Sequence, residues 1–246
     1  RRVAFVAALL FLTPAALFAV GTGFTLVIPR EAEVSRTGLE LTYELAPVNA
    51  FGLRFGVSGG SLGGYGLREA EGGSLASEAL IRLEGSLKAS VGMLGRIPVG
   101  PIEVIPFASA EGLFSRRPEV DQAALDRIIA RETGLDAVTS DVRVEPGFGY
   151  AAEAGLAVSI SVGGLSGSRS AAPGLARGRV FIGVSYFYGV FDTRVSGSYT
   201  GGSIGQPVAR VDQLPAAIAA SELDYSGVRV SLSLELPRRS GTGHSQ

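Results

Sequence analysis

The chain has no cysteine and only one histidine, charged residues make up just 18% of it, and its 22 basic and 23 acidic side chains leave a formal net charge of -1. Without cysteine these residues hold neither a disulfide nor a lipid-bearing thiol, so an exported body would have to be held together by other means. The one histidine, His244, sits in a Gly/Ser-rich stretch with no orienting partner beside it. That excludes a Ser-His-Asp relay and a histidine-based metal site, and with them histidine-dependent lipase, acyltransferase and protease chemistry. The balanced charge gives no field with which to gather polyanions, so nucleic acid is not an expected partner. Beyond Val3 to Val20 there is no apolar run long enough to cross a bilayer as a helix.

What the chain has is glycine, 35 residues of it, a hydrophobic share of 46% and a mean hydropathy of +0.31. Its apolar residues alternate. From Val142 to Val162 every second position is apolar apart from small alanines and one proline, while Arg143, Glu145, Gly147, Glu153 and Ser159 fall between them. Read as one strand this runs roughly 21 residues, against five or six for a soluble strand and about 9 to 11 for a tilted membrane crossing. Similar alternation marks Gly23 to Ile28, Leu39 to Leu45, Phe51 to Ser58, Ala79 to Met93, Ile102 to Phe114, Val180 to Val190 and Val228 to Leu236. The fold class expected is all-β, an antiparallel up-and-down transmembrane barrel of about eight strands, with ten possible and short helices in its long loops.

Arg1 and Arg2 ahead of the apolar run have the layout of a secretory signal peptide. The expected organisation is a leader over 1–21, cut after Ala19 or Gly21, a barrel over 22–237 and an unordered tail over 238–246. Short connections alternate with long ones, as in outer-membrane barrels, except that Gly163 to Arg179 is long where a tight turn was due. In one long loop Asp121 is placed to cap a helix carrying Ala124, Leu125, Ile128 and Ile129 on one side before Gly134 ends it, and a second helical stretch is expected from Leu214 to Ser221. The Ser58 to Ser77 loop is rich in glycine but lacks the lysine of a phosphate loop.

Two orientations of the faces are open. A soluble barrel would turn its apolar side inward around an apolar ligand, with long charged side chains on the outside. Here the polar face is mostly Gly, Ala, Ser and Thr with single charges, which suits a narrow lumen, while the apolar face carries essentially no charge, which suits lipid. On that assignment the lumen holds Glu40, Glu44, Arg54, Arg82, Glu84, Lys88, Glu103, Glu111, Glu153, Arg229 and Glu235, interlocked as ion pairs with no open pore. Arg143 and Glu145 are expected in solvent above the membrane. Tyr43, Phe51, Phe55, Phe114, Tyr150, Tyr186, Tyr188 and Tyr225 are the candidates for interfacial girdles. Acidic neighbours such as Glu69 with Glu71, or Asp121 with Asp126, lack the dense spacing of a calcium loop, so neither a metal nor a cofactor is expected.

Pro106-Phe107, Pro146-Gly147-Phe148-Gly149-Tyr150 and the final Tyr225-Ser226-Gly227-Val228-Arg229-Val230 carry a resemblance. With the signal-like start and the alternating strands, the chain resembles the small eight-stranded outer-membrane barrels, of the OmpA transmembrane-domain and opacity-protein kind. The resemblance implies a Gram-negative-type cell envelope, the lipid bilayer and the barrel assembly machinery as partners, and a non-enzymatic structural, adhesive or surface-binding role with an unknown ligand. The usual terminal aromatic residue is absent from the final strand. A small porin-like channel and a soluble periplasmic lipocalin-like barrel are the alternative expectations.

Overall fold

The computed structural model describes residues 18–30, 37–47, 49–69, 81–161, 179–192, 194–205, 208–219 and 221–236. Residues 1–17 of the expected leader, residues 70–80 of the glycine-rich loop, most of the Gly163–Arg179 connection and the expected tail from 238 lie outside the described residues. In chain order the elements are β1 (Phe18–Pro29), β2 (Gly38–Pro47), β3 (Phe51–Ser61), β4 (Gly64–Tyr65), β5 (Leu67–Glu69), β6 (Ile81–Gly95), β7 (Ile97–Val99) and β8 (Ile102–Val120). There follow α1 (Gln122–Thr133), β9 (Ala137–Val144), β10 (Gly147–Ser161), β11 (Arg179–Asp192), β12 (Val195–Gly202), β13 (Ala209–Val211), α2 (Ala216–Ala219) and β14 (Ser221–Leu236).

Eight long strands, β1, β2, β3, β6, β8, β10, β11 and β14, pair antiparallel in that order. β1 and β14 then join from Val20–Leu236 to Pro29–Gly227, which closes the wall and leaves no open edge. Following paired residues once round from Val20 leads through Leu45, Phe55, Val91, Ala110, Ala152, Tyr188 and Ser226, whose carbonyl accepts from the Arg30 N–H, so the path returns ten residues higher. With ordinary strand spacings that stagger tilts the strands by about 40°. The start of β1 and the end of β14 lie beside the short β2–β3 and β6–β8 turns, which defines a turn end; the opposite loop end carries everything from Arg116 to Pro146 and from Arg194 to Ala219.

The wall departs from the sequence reading in three places. β1 begins at Phe18, so residues 18–21, assigned above to the leader, pair with β2. The long strand beginning at Val142 is two strands. Pro146, which has no N–H to give a ladder, separates β9 from β10, and β9 belongs to a second sheet of order β13-β12-β9. In β6, Gly85 adopts a φ of +58°, a backbone open to glycine at little cost, and the strand changes phase there. Below it Leu87, Val91 and Met93 face outward, whereas above it Ile81 and Leu83 are buried and Arg82 is exposed.

The second sheet and α1 form a cap. Asp121 Oδ1 accepts from the Ala124 N–H at 3.0 Å, Gly134 closes the helix with φ 70°, and Ala124, Leu125, Ile128 and Ile129 are buried. The outer edge of β9 is covered by the helix: Gln122 Nε2 donates to the Val142 carbonyl and Asp126 accepts from the Ser140 N–H. The expected second helix shrinks to one turn, α2. Asp121→Ala should cost about 1 kcal/mol by removing an N-cap. Hydrogen exchange should show amides of 122–133 opening sooner while those of β10 and β11 are unchanged.

Candidate functional site

The lumen is layered. At the turn end Arg96 is 6% exposed and donates from Nε to the Pro47 carbonyl at 3.0 Å, from Nη1 to Glu103 at 3.2 Å and from Nη2 to Glu235 at 2.8 Å. Arg179 reaches the same Glu103 oxygen at 2.8 Å. Next comes Arg54, paired with Glu44 at 2.8 Å and lying 4.3 Å over the Phe107 ring. Gly155 makes room for that ring, since a Cβ there would stand 2.8 Å from its edge and 2.5 Å from the Ser185 side chain.

The middle layer is the most buried. Lys88 bridges Glu40 at 3.0 Å and Glu111 at 3.5 Å, and Arg229 Nη1 meets Glu111 at 2.7 Å and Glu153 at 3.2 Å. Ser58 donates to Glu40, and Ser109 and Ser185 donate to Glu153. Arg229 also donates to the Tyr225 hydroxyl at 2.6 Å and lies 4.1 Å over the Phe187 ring. Charges withdrawn from water are tolerated here because each carboxylate meets a cation or hydroxyl donors and the Arg229 guanidinium lies on an aromatic ring, although Glu111 Oε2 and Arg229 Nε have no protein partner.

Of the eleven lumen residues named from sequence, Glu40, Arg54, Lys88, Glu111, Glu153, Arg229 and Glu235 are buried, and Glu44 and Glu103 are partly so. Glu84 stands at the loop end, accepting from Ser61 at 2.9 Å. Arg82 does not belong to the set, because the turn of phase at Gly85 puts it outside. Arg143 and Glu145 are exposed in the cap. Sequence reading missed Arg96, which lies in a turn rather than on an alternating strand, and the lumen rings Phe107, Phe181 and Phe187. Phe181 and Phe187 fall between the outward residues of β11 and so interrupt its alternation, which is the signal they leave in the sequence.

Beyond the middle layer the loop end is apolar. Tyr65, Phe187 and Tyr225 stack with ring centroids 5.1 and 4.7 Å apart, joined by Val27, Leu83 and Leu223, all buried and continuous with the cap core of α1. Tyr225 is therefore an interior residue and not part of a girdle.

Outside, the wall is uncharged through its middle. Leu41, Leu53, Leu87, Met93, Leu156, Val184 and Leu232 are each more than half exposed, with no ionised side chain among their outward neighbours on the same strands. Toward the loop end Phe114 and Phe148 stack 4.8 Å apart beside Tyr150 and Tyr188. Tyr43 and Phe55 sit nearer the middle of the wall, and Phe51, also exposed, stands at the turn end, so the described aromatics are denser toward the loops. A surface of this kind in water would be unstable; in hydrocarbon it is the required one.

The fold is a transmembrane β-barrel. The reading with an apolar ligand inside a soluble barrel fails, because the apolar face points out and the lumen is charged. Among the described residues no cluster of carboxylates or histidine suited to a metal occurs.

No family model matches the chain, and no curated protein matches it in sequence. Among solved structures, it is similar to a major outer membrane protein from Thermus thermophilus, at 11% identity and a TM-score of 0.38 over 89% of this chain and 98% of that one. It is also similar to the outer membrane protein OprG from Pseudomonas aeruginosa, at 12% identity and a TM-score of 0.41 over 89% and 94%.

Proposed function

We propose that the chain is a non-enzymatic outer-membrane protein whose filled lumen serves as a rigid core and whose loop-end cap presents a surface for adhesion or partner binding. The observation that carries this reading is the division of the described residues: an uncharged exterior, an ion-paired interior, and a separate sheet-and-helix body built on the loop end. The cap sheet turns Thr139, Asp141, Arg143, Ser196 and Thr200 to solvent, a polar face suited to hydrogen bonding with a partner. Assembly by the barrel machinery and export through the N-terminal leader belong to the same proposal. Of the two cleavage positions, Ala19 fits the wall better, since the closing ladder between β1 and β14 begins at Val20 and a cut after Gly21 would remove two of its pairs.

The expected result is a protein in the outer-membrane fraction that needs detergent for extraction, with an intact mass corresponding to an N-terminus at Val20. Replacing residues 195–211 by a short Gly/Ser linker should abolish cell-surface binding while leaving heat-modifiable gel migration intact. Recovery in the soluble periplasm, or undiminished binding without the cap, would contradict the reading.

A further inference from the structure

Between the Arg96 layer and the Lys88–Arg229 layer lies a cavity of about 80 Å³, lined by Thr25, Thr42, Ser90, Ser231 and Ser233. Three buried polar atoms among its lining residues, Arg54 Nε, Glu111 Oε2 and Arg229 Nε, have no protein partner. A polar space of that size accommodates several water molecules.

Its two ends are built differently. The loop-end plug is made of rings on wall strands, Phe187 on β11 and Tyr225 on β14, packed into a continuous apolar core. Moving them requires unpacking that core. Among the described residues, the turn-end closure centres on one side chain, backed by the Phe181 ring 5.6 Å from its guanidinium. Arg96 lies between β6 and β7, and its guanidinium alone joins the Pro47 carbonyl, Glu103 and Glu235. Rotating that side chain outward breaks three hydrogen bonds and no rung of the barrel ladder. Glu103 keeps a cation when it leaves, because Arg179 holds the same oxygen.

We propose that the lumen is a one-ended vestibule, a small polar chamber that opens toward the turn end when the Arg96 side chain swings out and stays shut toward the loops. Arg96 is the latch. The chamber admits water and small hydrophilic solutes from one side of the membrane without conducting between the two. This rests on the transmembrane reading above, which heat-modifiable migration tests separately.

The test uses the absence of native cysteine. Ser90→Cys places a single thiol in the chamber, and the full chain is reconstituted in phosphatidylcholine vesicles and exposed to 2-sulfonatoethyl methanethiosulfonate. Adding Arg96→Ala should raise the modification rate about tenfold or more, the scale expected for losing several charge-assisted hydrogen bonds, and Glu235→Gln should raise it less. Planar-bilayer recordings of the Arg96→Ala protein should stay silent, and steps should appear only when Phe187→Ala is added. Equal labelling rates in all three proteins, or conductance from Arg96→Ala with Phe187 intact, would overturn the proposal. If Arg96→Ala loses its heat-resistant gel band, the comparison of Glu235→Gln with the parent carries the same decision.

Discussion

Arg229→Met is expected to cost about 3–5 kcal/mol, because it leaves a buried carboxylate pair without its main cation. The native guanidinium touches Glu111 and Glu153 through one nitrogen and the Tyr225 hydroxyl through another, and all of these groups are buried. Once it is gone, Lys88 is the remaining cation for Glu40 and Glu111, and Glu153 keeps only hydroxyl donors. Methionine keeps much of the volume, so the loss is electrostatic rather than a matter of packing. The urea midpoint of the folded gel band should fall accordingly. Adding Glu111→Gln and Glu153→Gln should restore most of it, since an uncharged layer of similar shape has no unpaired ion to bury. Failure of that rescue would mean that the Phe187 stack and the Tyr225 bond, not the charges, set the cost.

A charge placed on the outer wall should be punished by depth. Val184 lies midway along β11, pairs with Leu156 and Val230, and is 53% exposed. Val184→Arg should cost about 2–4 kcal/mol, the range for a cation at the bilayer midplane, whereas Phe148→Arg at the aromatic rim should cost about 0–1 kcal/mol. In water both positions would be ordinary exposed sites and arginine would be harmless at either. Unfolding from lipid vesicles distinguishes the two cases, and equal costs at the two depths would argue that the wall is not lipid-facing.

The outward faces were legible because alternation is a geometric consequence of the strand: once Leu39, Leu41 and Tyr43 share a face, Glu40 and Glu44 must share the other. The α1 helix was legible for a similar reason, with Asp121 and Gly134 as end signals and four apolar residues on one side. Alternation carries no information about its own interruption. It cannot show that a left-handed glycine reverses the phase, so Arg82 was placed inside with Lys88. Nor did it separate Val142 and Val144 from β10, because the pattern runs through Pro146 unbroken while the backbone changes sheet.

β12 had almost no signal. Its Val195-Ser196-Gly197-Ser198-Tyr199 run is weakly apolar, and its place comes from pairing with β9 some fifty residues earlier. The lumen was half visible for a related reason: single charges on a small-residue face point inward, but whether they meet depends on stagger. Glu40, Lys88, Glu111, Glu153 and Arg229 converge because each successive pair of strands is offset so that these positions share a level. Arg96 and the lumen rings were hidden, since a turn arginine reads as solvated and an aromatic residue reads as lipid-facing until the strand phase is known.

The account stands on which way β10 turns its side chains. Nitroxide labels placed singly along residues 151–158 of this cysteine-free chain, in lipid vesicles, report collision with oxygen dissolved in the bilayer and with a water-soluble nickel chelate. Labels at 152, 154, 156 and 158 should be accessible to oxygen and shielded from the chelate, and those at 151, 153 and 157 should be shielded from oxygen, Gly155 being left unlabelled because no side chain fits beside Phe107. The opposite phase, or an absence of alternation, would contradict the orientation from which everything else follows.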